Sequence, residues 1–156
     1  MNILALDMAT KTGWAYGVKG LTHLSSYDKG SGVENFRKRT GESQGMIFLR
    51  FRTWLNNFLV ENPIDLIVYE QSHQRGRAAT EMGNGLLAVL KMEAETQGMD
   101  FSSVHSATIK KFATGRGNAG KDMVIAAFRG RLGREPIDDN EADAYWLLQY
   151  AIKEYC

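Results

Sequence analysis

The chain has a single cysteine among its 156 residues, and it is the last of them, Cys156. That excludes an intrachain disulfide and any cysteine-built metal cluster. Neither sign of charge is in excess: 19 Lys+Arg stand against 18 Asp+Glu, a formal net charge of +1. No apolar run approaches the roughly 18 residues that suggest a membrane span. The first residues, Met-Asn-Ile-Leu-Ala-Leu-Asp, have no basic region leading into a long apolar stretch, so a secretory leader is not expected and a cytoplasmic location is. No repeat and no low-complexity tract is present. What the chain has in quantity is core-forming material. With 44% hydrophobic residues it can bury a sizeable core, which argues against intrinsic disorder. One domain over residues 1–156 is the expected organisation.

Short apolar runs and longer amphipathic ones alternate. Asn2 to Asp7 reads as a buried strand ending in a carboxylate. Ala9 to Gly13 reads as a turn, Trp14 to Val18 as a second strand, and Leu21 to Tyr27 as a third, so the chain opens on a meander. Lys29 to Ser43, rich in Gly, Ser and charge, reads as a loop. Gln44 to Glu61 carries Ile47, Phe51, Trp54, Leu55, Phe58 and Leu59 at helical spacing and stops before Pro63. Asp65 to Glu70 is a second apolar strand ending in an acid. Gln71 to Arg77 is a polar, basic loop. Ala78 to Gln97 is a helix with Met82, Leu86, Val89, Leu90 and Met92. Ser103 to Ser106 reads as a strand, Thr108 to Ala113 as a short helix and Thr114 to Ala119 as a Gly-rich loop. Helices follow over Lys121 to Leu132 and Asn140 to Tyr155. The order β-β-β-α-β-α-β-α-α-α predicts an α/β fold, a mixed five-stranded sheet with an antiparallel opening meander, flanked by helices.

Charge is segregated along the chain. Lys110, Lys111, Arg116, Lys121, Arg129, Arg131 and Arg134 meet only Asp122, whereas Glu135, Asp138, Asp139, Glu141 and Asp143 meet no base. Such a boundary is either phosphate attraction beside a cation site or a solvated helix face followed by an acidic helix start. Asp7 and Glu70 close apolar strands, where a carboxylate is costly to desolvate. Two carboxylates 4 Å apart repel by about 4 kcal/mol at an effective dielectric of 20. A cluster of three or four therefore calls for a cation, and an all-oxygen set suits Mg²⁺ or Mn²⁺ rather than zinc. Taken singly, each acid is as well read as a loop cap, an N-cap or a helix-dipole partner. On a helix Asp139 lies about 40° from Asp143, Asn140 about 60° to the other side and Glu141 about 160° away. The charge of Asp139 favours it over Asn140 as a fourth oxygen ligand.

The ordered set of motifs resembles a known family. Ile3-Leu4-Ala5-Leu6-Asp7 followed by Thr12-Gly13-Trp14-Ala15 resembles the first two strands of the RuvC-type Holliday-junction resolvases, within the ribonuclease-H-like superfamily. Val68-Tyr69-Glu70-Gln71 resembles their second acidic strand. Thr114-Gly115-Arg116-Gly117-Asn118-Ala119-Gly120-Lys121 resembles their loop into a helix, and Glu141-Ala142-Asp143-Ala144 their last acidic helix. The matches run in family order over residues 3–145, and the short chain looks most like the phage-encoded branch.

This resemblance implies a homodimeric, structure-selective DNA endonuclease that resolves four-way and other branched junctions by paired nicks, with two Mg²⁺ ions per site and Mn²⁺ as a substitute. It implies Asp7, Glu70 and Asp143 as metal ligands, with Asp139 the favoured fourth. The family has an acid or His where this chain has Asn140, and an aromatic near the position of His73. Lys121, after a Gly-rich loop at a helix start, can meet a phosphate. Lys110, Lys111 and Arg116 are the expected flanking backbone contacts, and His73, Arg75 and Arg77 line the other loop. His105 reads as a structural histidine. Trp54 and Phe58 read as core or dimer interface, and the helix from Ala78 to Gln97 is a candidate interface or simply core. The competing readings are an actin-like ATPase fragment, disfavoured because one copy of this length cannot enclose a nucleotide, and a binding-only module that has lost a ligand. No nucleotide cofactor and no membrane partner are expected.

Overall fold

Period-2 alternation in the central strands decides the architecture. The computed structural model describes residues 1–18, 30–71 and 76–156. Strand β1 (Asn2–Asp7) pairs antiparallel with β2 (Lys11–Val18) and parallel with β4 (Leu66–Gln71). Strand β3 (Ser31–Asn35) adds antiparallel to β2, and β5 (Asp100–His105) parallel to β4, giving the order β3-β2-β1-β4-β5. Successive side chains of a strand face opposite ways. Leu4, Leu6, Ile67 and Tyr69 accordingly enter one core, beneath helices α1 (Gly45–Glu61) and α2 (Arg77–Gln97). Ile3, Ala5, Leu66 and Val68 enter the other, beneath α3 (Ser106–Thr114) and α5 (Asp139–Tyr155). Helix α4 (Lys121–Leu132) joins through Val124 and Phe128, which pack on Tyr145.

The expected mixed sheet with an antiparallel opening is present, and its third described strand falls on residues expected to be loop. The strand expected over Leu21 to Tyr27 lies outside the described residues. Ser31–Asn35, expected to be loop, is β3. An edge strand needs only one hydrogen-bonded ladder, so Ser, Gly and Glu are tolerated there. Gly32 lies close under Trp14: a Cβ there would sit 3.0 Å from the indole, which would have to shift. Strand β2 also begins earlier than expected. The buried Thr12 hydroxyl donates to the Ala9 carbonyl at 2.7 Å and closes the β1–β2 turn from within the strand.

Helix α1 buries Ile47, Phe51, Leu55 and Leu59 at a four-residue spacing. Trp54 and Phe58 join an aromatic layer with Trp14, Phe36 and Phe51, so they serve the core of this chain. In α2, Leu86 and Leu90 are buried and Met82 and Val89 pack on the same core, whereas Met92 is exposed. His105, expected to be structural, is exposed at the end of β5. Among the described residues no helix is long and apolar enough to cross a membrane.

Candidate active site

Parity along two neighbouring strands brings the first two acids together. Leu6 lies opposite Tyr69 in the parallel β1–β4 pair, so the next residue on each strand, Asp7 and Glu70, sits at the same sheet end. Asp7 has the parity of Ile3 and Ala5, and Glu70 that of Leu66 and Val68. Both therefore lie on the α5 face. Asp143 on α5 completes the group: one carboxylate oxygen from each of Asp7, Glu70 and Asp143 lies within 4.8 Å of the others.

Small residues let α5 come this close. Ala5, Ala15, Ala144 and Ala151 are fully buried between sheet and helix. At Gly13, opposite Asp7 in the β1–β2 ladder, an added Cβ would lie 1.9 Å from the carbonyl oxygen of Asn140. Only glycine admits the first turn of α5 at that point, and that turn sets where Asp143 projects.

Burial and mutual repulsion mark the three acids as an uncompensated cluster. Burial, then the Glu70, Asp143 and Asp139 charges, holds the Asp7 carboxyl well above the ordinary carboxylate range. Burial, then Glu70 and Asp139, raises Asp143 to about 7, against smaller lowering by Lys110 and Lys121. None of the three acids takes part in an ion pair among the described residues. A hard divalent cation fits this donor set: the ligands are all carboxylate oxygens, close enough to share one ion and electrostatically unfavourable without one.

The rest of the acidic segment divides into distinct jobs. Asp138, not Asp139, caps α5: its side chain accepts from the backbone N–H groups of Asn140 at 2.9 Å and Glu141 at 3.1 Å. Asp139 is thereby the first helical residue, and it meets the Lys121 ammonium at 2.9 Å. It stands beside the trio, near enough to raise both Asp7 and Asp143. The Asn140 amide turns back to Asp138. Glu141 points away from the cluster and is fully buried. It accepts from Ser31 Oγ at 2.8 Å, from the Arg134 guanidinium at 2.7 Å and from the Ile137 N–H.

The other expected site residues fall on two sides. Lys110 and Lys111 lie on α3, which leaves the end of β5. Arg116 lies in the loop that follows, where the Thr114 hydroxyl bonds the Lys110 carbonyl and the Arg116 N–H. Lys121 begins α4, and its bond to Asp139 raises its pKa. Arg77 is exposed and pairs with Glu81 one helical turn on. His73 and Arg75 lie outside the described residues. Two features of the site were missed by sequence reasoning. Gly13 was visible as a turn residue and in the Thr12-Gly13-Trp14-Ala15 motif but not as the point of contact with α5, and the Glu141–Arg134–Ser31 network joins positions 110 residues apart that no local pattern connects.

No protein-family model and no curated protein matches the sequence. Solved structures do match the fold. Thermus thermophilus RuvC is similar at 20% identity, covering 97% of this chain and 94% of that one, with a TM-score of 0.74. T. thermophilus RuvC in complex with a Holliday junction substrate is similar at 18% identity over 98% and 94% of the two chains, with a TM-score of 0.76. The yeast mitochondrial Holliday junction resolvase Ydc2 is similar at 15% identity over 98% and 82%, with a TM-score of 0.56. The chain has the ribonuclease-H-like fold of RuvC.

Proposed function

We propose that the chain is a divalent-metal-dependent endonuclease that resolves four-way and related branched DNA by paired nicks made by a homodimer. The observation that carries this reading is the convergence of Asp7, Glu70 and Asp143 within 4.8 Å on a RuvC-like frame, with no cationic side chain paired to them among the described residues. Asp7, Glu70 and Asp143 would hold Mg²⁺, with Mn²⁺ as a substitute. Asp139 is the fourth oxygen donor, placed on the same helix face as Asp143 and oriented by Lys121. Two ions held there would supply an activated water and charge stabilisation for the leaving oxygen of an in-line displacement at phosphorus. The carboxylates fix where the scissile phosphate sits. Lys121, three-quarters exposed beside Asp139, offers a cation to a non-bridging phosphate oxygen or its neighbour. Lys110, Lys111, Arg116 and the basic residues after β4 (His73, Arg75, Arg77) contact the backbone of the arms. Branched DNA as substrate is supported by the likeness to T. thermophilus RuvC, one structure of which is a complex with a Holliday junction substrate. A pair of symmetric nicks needs two such sites, hence the homodimer. On this reading the expected location is the cytoplasm of a bacterial or phage-infected cell.

The test is a cleavage panel of synthetic four-way, three-way and linear DNA with Mg²⁺, using wild type and Asp7→Asn, beside an ATPase assay. Wild type should cut the branched substrates in preference to linear duplex. Asp7→Asn should stop cleavage and keep binding in a gel shift. ATP turnover without DNA cleavage would overturn the reading.

A further inference from the structure

Among the expected DNA-contacting cations on described residues, Lys110 and Lys111 lie on α3 after β5, Arg116 in the loop that follows, and Lys121 at the start of α4 beside Asp139. None of them lies on β3 or on the residues that follow it. The topology places a basic segment at that position. Strand β3 runs parallel to β1, because each is antiparallel to β2. The end of β3 therefore lies at the same sheet end as Asp7. Two strand spacings of ~4.8 Å put it on the order of 10 Å away. The residues that follow are Phe36, Arg37, Lys38 and Arg39. The Phe36 N–H donates to the Thr10 carbonyl at 2.8 Å, which ties the segment to the turn directly after Asp7. Lys11, exposed and opposite Asn35 in the ladder, stands between.

This segment is held in shape from behind. Phe36 is buried against Phe51 and Trp54. The Arg50 guanidinium grips both oxygens of Glu42, at 2.7 and 2.6 Å, and reaches the Arg37 carbonyl. Glu42 in turn accepts from the Arg39 N–H at 2.7 Å. Glu42 is thus engaged chiefly by Arg50, with a smaller contribution from the charge of Arg39, while Arg37, Lys38 and Arg39 are exposed and enter no ion pair within 4.0 Å among the described residues. Three exposed cations on a braced loop, at the same sheet end as the acids, form a surface for a polyanion.

Resting on the nuclease reading above, we infer that Arg37, Lys38 and Arg39 form a second phosphate-binding track, which holds the DNA backbone on the β3 side of the scissile phosphate. DNA then crosses the sheet end held on both flanks, with the acids between.

The experiment is junction binding in EDTA, over a series of salt concentrations, for wild type, the triple variant Arg37→Ala/Lys38→Ala/Arg39→Ala, and the charge-keeping double variant Arg37→Lys/Arg39→Lys. Each lost contact should reduce the steepness of log K against log salt by about 0.9. The triple variant should therefore bind at least tenfold more weakly near 0.1 M salt, with a slope shallower by about two to three. The Lys variant should keep nearly the wild-type slope, which separates charge from loop shape. Wild-type affinity and slope in the triple variant would overturn the track while leaving the nuclease reading standing. Equal loss in the Lys variant would likewise overturn it in favour of a shape effect. Wild type that neither binds nor cuts any branched DNA would overturn the nuclease reading, and the track with it.

Discussion

Replacing Asp143 by Asn should make the metal-free protein more stable, and only above a defined pH. In the folded chain the Asp143 carboxyl is raised from 3.8 to about 7. Between those values the native state keeps a proton that the unfolded chain has released. Native stability therefore falls as pH rises through that window and stays reduced above it. A shift of ~3 units at ~1.36 kcal/mol each sets a ceiling of about 4 kcal/mol. Asn carries no charge at any of these pH values and escapes the loss. At about 2–4 °C per kcal/mol for a chain of this size, Asp143→Asn should unfold several degrees higher than wild type at pH 8 in EDTA. The gain should shrink towards pH 4. Mg²⁺ should reverse the order, because a cation held by the trio stabilises wild type and the variant has lost a ligand. Thermal unfolding followed by circular dichroism across pH 4–8.5, with EDTA or Mg²⁺, reads all of this. A variant less stable than wild type at pH 8 in EDTA, or a gain independent of pH, would refute the account of the cluster as an uncompensated site.

Gly13→Ala should abolish Mg²⁺-dependent cleavage, since its Cβ would meet the Asn140 carbonyl and the first turn of α5 must move away; full activity in a cleavage assay would contradict that close approach. Asp139→Asn should lose most cleavage while Asn140→Ala, whose side chain bonds to Asp138, should lose little; the reverse pattern would make Asn140 the fourth donor. Glu141→Gln removes the charge from a fully buried carboxylate paired with Arg134 and should cost about 1.5–3 kcal/mol, read as a lower unfolding temperature in EDTA. Its angle on the helix, away from Asp143, marks it as dispensable to the metal site, and unchanged unfolding would make it dispensable to the fold as well.

Most of the elements and their order can be read from local pattern alone. Apolar runs ending at Asp7 and Glu70 needed no tertiary information to be read as buried strands, and the periodic Ile47-Phe51-Leu55-Leu59 stripe is a helix in any packing. Their placement on one sheet face follows from the register of the parallel β1–β4 pair, which the two apolar runs do not encode. The edge strand Ser31–Asn35 was illegible because its order comes from the β2 ladder and from Trp14 over Gly32, not from its own propensities. The division of labour among Asp138, Asp139, Asn140 and Glu141 was likewise undecided. A helical wheel gives angles relative to Asp143 but not which residue begins the helix, and the cap at Asp138 settles that. Only the tertiary structure decided that α5 approaches β1 and β2 closely enough for Asp143 to join the strand acids. That approach depends on the absence of a Cβ at Gly13 and on a row of alanines. Such contacts join residues more than a hundred positions apart, and short-range periodicity carries no information about them.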